Sequence, residues 1–114
     1  MTKDEMRAVM SEHLAKFRAC SYAQLAERVE RDRREHNCLE HIEGTASDGT
    51  KFQMEFQVFW DDKPLGDIRV CGDLSAEPQR PLWGFIPVFM PDVTDSFIMS
   101  PDGRFVGDDE SHVA

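Results

Sequence analysis

The chain has 114 residues, 40% of them hydrophobic and 31% charged, with eight Phe, two Trp and a formal net charge of −9. That length holds one hydrophobic core rather than two, and the aromatic content excludes a disordered chain. The negative balance works against nucleic acid and anionic membranes as partners, and would draw in a basic one.

The charge is unevenly spread. Residues 1–36 hold eight Lys/Arg against seven Asp/Glu, a balance of +1, whereas residues 37–114 hold five against fifteen, a balance of −10. Three cysteines, Cys20, Cys38 and Cys71, without C-x-x-C spacing, argue against a disulfide framework. The first residues lack the apolar stretch of a signal peptide, and the longest apolar run, Leu82 to Met90, is shorter than the roughly 18 residues a membrane span needs. A cytoplasmic location is expected.

Thr2 and Glu5 form a capping box that opens a first helix. Met6, Val9, Met10, Leu14 and Phe17 recur at helical spacing and make its core stripe. Ser21-Tyr22-Ala23-Gln24 repeats the capping pattern, which predicts either a second helix with Tyr22, Leu25, Ala26 and Val29 inward or one kinked helix. The stretch Glu27 to Glu35 alternates charge, with Glu27–Arg31 and Glu30–Arg34 four apart, and reads as a solvated face. Asn37, tolerant of the left-handed conformation, is the expected terminator.

From Cys38 the hydrophobic period becomes two. A first strand is predicted over about Leu39 to Ala46, and Asp48-Gly49 is a hairpin turn. In Lys51 to Trp60, Phe52, Met54, Phe56, Val58 and Trp60 alternate with Lys51, Gln53, Glu55, Gln57 and Phe59 and should face the helices. A third strand near Gly66 to Leu74 should point Ile68, Val70 and Leu74 inward and Asp67, Arg69, Cys71 and Asp73 outward. Trp83 to Met90, apolar on both faces, is expected to be a fourth strand, covered on both sides or in a subunit contact. Ser96 to Ser100, the Pro101-Asp102-Gly103 turn and Arg104 to Val106 suggest a small terminal hairpin, and residues 107–114 a frayed acidic tail.

One α+β domain follows from this order. A helical segment (1–36) packs on one face of a curved antiparallel sheet (38–106) of four or more strands. A cystatin-like arrangement, a helix lying across a curved sheet, is its simplest version as an analogy of architecture alone, and a fold does not assign a function.

No catalytic, cofactor or metal constellation emerges. His36, Cys38 and His41 lie within six residues, but a strand would turn Cys38 and His41 to opposite faces, and no second ligand pair occurs. Cys71 sits in an acidic strand, the wrong setting for a reactive thiolate. Asp61, Asp62, Asp67 and Asp73 lack the ligand spacing of a calcium loop and suit turn chemistry and solubility. The arginines from Arg28 to Arg34 are nearly cancelled by interleaved acids, so no nucleic-acid surface is expected.

Two functions remain. The favoured one is a non-enzymatic interaction module that binds itself or a basic, nuclease-like partner. It would use Trp83, Phe85, Phe89 and Met90 together with the acidic residues Asp61, Asp62, Asp67 and Asp73. The alternative is a small enzyme or ligand carrier with a pocket between helix and sheet, lined by His41, Glu43, Arg69 and Trp83.

Overall fold

A computed structural model describes residues 1–76 and 92–107, and in it both capping boxes close. Thr2 Oγ1 accepts from the Glu5 amide at 3.1 Å and Ser21 Oγ from the Gln24 amide at 3.1 Å, while Glu5 and Gln24 reach back to the cap amides. The helices α1 (Lys3–Arg18) and α2 (Tyr22–Glu35) are therefore separate, each with its own start signal. The left-handed cap of α2 falls one residue before the expected terminator. His36 takes the left-handed conformation with φ 58, and the Asp32 carbonyl accepts from both the His36 and Asn37 amides.

Four strands follow, β1 (Glu40–Thr45), β2 (Lys51–Trp60), β3 (Ile68–Ala76) and β4 (Val93–Met99), and they form a curved, unclosed antiparallel sheet in the order β1-β2-β3-β4. The expected terminal hairpin forms, its turn closed by the Gly103 amide donating to the Ser100 carbonyl at 2.8 Å. Its first run is also part of β4, which lies beside β3 in the sheet from Leu74↔Val93 to Ile68↔Met99, and its second run returns along β4 through the Met99↔Phe105 bridge, with the Ser100 amide donating to the Arg104 carbonyl and the Val106 amide to the Ile98 carbonyl, both at 2.8 Å. Asp92 sets this pairing: its amide donates to the Leu74 carbonyl and its carboxylate accepts from the Ala76 amide, both at 2.8 Å. The third strand also runs later than expected, from Ile68 rather than Gly66. The expected strand over Trp83 to Met90 and the expected tail from 108 onward lie outside the described residues.

Register places Phe56 beside Gly72 and Met54 beside Leu74 on the inner face. Both helices pack there, burying Met6, Met10 and Leu14 of α1 and Leu25 and Val29 of α2 against Met54, Phe56, Val70 and Leu74. Each fully buried side chain of this size contributes about 1.5–3 kcal/mol. Phe56 is the centre of the stack, with the Phe17 ring at 5.2 Å and the His13 ring at 6.0 Å. At the far edge the Arg18 guanidinium lies 4.8 Å from Phe97 and 4.9 Å from Phe105. Tyr22 ties the start of α2 to the β2–β3 loop, donating to the Gly66 carbonyl at 2.7 Å.

Candidate functional site

Because the helices take the inner face, the odd-numbered residues of β2 and β3 lie on the opposite one. Cross-strand register forms one row of His41, Glu55, Asp73 and Thr94, and a second of Glu43, Gln53 and Ser75. His41, Glu43 and Arg69 thus sit on the outer face. They do not converge on a space between helix and sheet. His41 Nε2 approaches Glu43 at 3.8 Å, whereas Arg69 lies toward the other end of the sheet.

The four aspartates separate in the same way. Asp61 is held by Arg69, whose Nε donates to it at 2.8 Å, and Asp73 accepts from Thr94 Oγ1 at 2.9 Å. Asp62 is exposed in the β2–β3 loop. Asp67, just before β3, helps raise the Tyr22 pKa, second to burial of the phenol. Burial pushes the Cys71 thiol up, with Asp73 and Asp61 adding to the shift and Arg69 opposing it, so this cysteine is not an activated nucleophile. Trp83, Phe85, Phe89 and Met90 lie outside the described residues.

A site that sequence reasoning missed lies where α2 ends against β2. β1 pairs with β2 only as far as Glu40↔Phe56, and the Leu39 amide donates to the Phe56 carbonyl at 2.8 Å. Upstream of Leu39 the chain turns back through Asn37 to the left-handed His36 cap. β2 runs on four residues to Trp60, and this leaves a cleft of about 500 Å³ between its end and the last turn of α2. Val29, Asp32, Cys38, Phe59 and Trp60 are among its walls. Its volume falls in the roughly 300–1,000 Å³ range of ligand sites. A second hollow of about 360 Å³ adjoins it and shares Asp32, Asn37 and Cys38.

The polar groups around this cleft are incompletely paired. Among the described residues, four buried side-chain atoms lack a hydrogen-bond partner: His13 Nδ1, Arg28 Nε, Asp32 Oδ2 and Trp60 Nε1. Three of the four line one or other of these two hollows. Asp32 is 7% exposed, which corrects the reading of residues 27–35 as a wholly solvated face. Its Oδ1 faces Arg28 Nε at 3.5 Å, and Arg28 Nη2 donates to the Leu39 carbonyl at 2.7 Å. Leu25, Val29 and Asp32 stand at helical spacing, and that spacing was the available signal for the burial of Asp32.

Among the described residues no group of three or more His, Cys, Asp or Glu is placed to hold a metal ion, and no helix is long and apolar enough to cross a membrane. Comparison with protein-family models, with curated proteins and with solved structures finds no match.

Proposed function

We propose that the protein is a non-enzymatic interaction module that binds a basic partner across the outer face of its sheet. The observation that carries this reading is the division of the sheet into two faces. Helices cover the inner one, while Glu43, Glu55 and Asp73 stand exposed on the outer one, with Asp61 already neutralised by Arg69. Phe59, 40% exposed on the same face, adds an apolar contact. A net charge of −9 draws a cationic surface in from a distance, and the face then fixes its orientation.

Capture from an extract of the source cells tests this. Wild type and a Glu43→Lys, Glu55→Lys, Asp73→Lys variant are compared as bait over a range of salt. Basic proteins should be retained by wild type, be released as ionic strength passes ~0.1 M, where screening reaches about 10 Å, and be lost by the variant at all salts. Equal recovery by both baits would refute an acidic binding face.

A further inference from the structure

Among the described residues, the main chain at the end of β2 has a side without a pairing strand. The Asp61 amide donates to the Asp67 carbonyl at 2.8 Å, so the odd-numbered residues of β2 direct their backbone groups toward β3. The Phe56 carbonyl accepts from Leu39, so the even-numbered ones direct theirs toward β1. Since β1 pairs no further than Phe56, the N–H and C=O groups of Val58 and Trp60 point into the cleft, and no described residue pairs with them. A strand edge of this kind is a template for another strand.

The wall opposite offers charge. Asp32 has one carboxylate oxygen toward Arg28 and one, Oδ2, buried with no donor among the described residues. The neighbouring Arg33 does not supply one, its guanidinium being turned to Glu30 at 4.0 Å. Glu55 adds a second negative group to the same cleft. A buried carboxylate oxygen left without a donor is unfavourable, and a cationic side chain is the group that removes the deficit most fully.

We propose that this cleft is a peptide site: an extended segment of a basic partner adds to the end of β2 as a short strand, pairs with the main chain of Val58 and Trp60, and lodges a Lys or Arg side chain against Asp32. The proposal rests on the reading of the protein as a module for a basic partner, and gives that partner its docking mode. Strand addition supplies affinity through the main chain, and the side-chain pocket supplies selectivity. Phe59 and Trp60, on alternate faces of β2, flank the added strand with apolar surface.

The probe is the synthetic peptide acetyl-Thr-Val-Arg-Val-Thr-amide, titrated into the ¹⁵N-labelled full chain by NMR. Two further peptides serve as comparisons, one with Glu in place of Arg and one N-methylated on the three central residues. In the free protein the Val58 and Trp60 amides should exchange rapidly with solvent. The Arg peptide should shift those amides and the Trp60 indole N–H. The Glu and N-methylated peptides should bind at least about tenfold more weakly, as should the Arg peptide to Asp32→Asn, because a hydrogen bond to a charged group is lost or the ladder is blocked. Slow exchange at Val58 and Trp60 before any peptide is added would overturn the proposal, since the edge would already be paired. Undiminished binding of the N-methylated peptide would overturn it without recourse to a variant. If the Arg peptide instead shifts Glu43 and Asp73 and leaves Val58 and Trp60 unmoved, the cleft is excluded while the outer face stands as the binding surface. If it binds nowhere, both readings fall.

Discussion

Replacing Gly72 with Ala tests how α1 is seated on the sheet. A Cβ built at this position falls 2.6 Å from Met10 Sδ, 2.6 Å from Phe56 Cε1 and 2.8 Å from Phe56 Cδ1. Comfortable separations between such atoms are about 3.5–4.0 Å, so the thioether and the ring must each retreat by about 1 Å. Neither has room. Met10 is 1% exposed and Phe56 0%, and the Phe56 ring is already backed by Phe17 and His13. Overpacking of this kind costs about 1–3 kcal/mol, whereas Ala for Gly in an uncrowded strand would gain about 0.5–1 kcal/mol, so the sign alone is diagnostic. For a chain of this size the loss corresponds to a fall in Tm of roughly 4–12 °C, read by circular dichroism alongside a urea titration. Gly44→Ala is the control, because the three atoms nearest its Cβ all belong to the outer end of the Phe52 ring, the closest at 2.6 Å, and that ring is partly exposed and can swing. A Gly72→Ala protein as stable as wild type would refute the packing of α1 over the Phe56–Gly72 pair.

Tyr22 is the sole tyrosine, so its ionisation can be followed directly by absorbance. Its midpoint should lie above the ordinary 10.0 in the native protein and return to about that value in urea, and Asp67→Asn should lower the native midpoint without abolishing the shift, since burial is the larger cause. The folded state therefore holds this proton longer than the unfolded one: the contribution is fully present below pH 10.0 and is lost as pH rises through the native midpoint, and Tyr22→Phe should flatten that part of the stability profile. Arg28→Met removes the bond to the Leu39 carbonyl and leaves Asp32 without its cation, which should cost about 2–4 kcal/mol in urea unfolding, partly recovered by adding Asp32→Asn; a loss below about 0.5 kcal/mol would show that solvent already screens the pair. Cys71 should react with iodoacetamide more slowly in the native protein than in urea, because its raised pKa leaves less thiolate, and mass spectrometry of labelled peptides reads this directly.

What was legible in the sequence is local in origin. The two capping boxes each involve residues three apart, the Asp48-Gly49 turn is a dipeptide signal, and the alternation from Phe52 to Trp60 orients β2 on its own. The helix-on-sheet architecture follows from these. The place of β4 does not, because its pairing with β3 is made across the sheet and its first half, Val93-Thr94-Asp95, carries little apolar pattern. The cleft was hidden for a related reason. It exists because β1 stops pairing at Phe56 while β2 continues to Trp60, a difference in length between two strands that neither strand's own residues announce. Asp32 was obscured by its charged neighbours, although its spacing from Leu25 and Val29 places it on the buried stripe of α2.

The claim that the outer face of the sheet is the binding surface is tested most directly by two variants of equal charge change. One carries Glu43→Lys, Glu55→Lys and Asp73→Lys on the outer face, and the other Glu12→Lys, Glu27→Lys and Glu30→Lys on the solvent sides of α1 and α2. The association rate of each with the basic protein that wild type captures is measured by stopped flow from low to high salt. The account predicts that the outer-face variant loses binding while the helix-face variant only associates more slowly, with the gap closing as salt screens the long-range field. Identical behaviour of the two variants would contradict it, since net charge and not a particular face would then govern association.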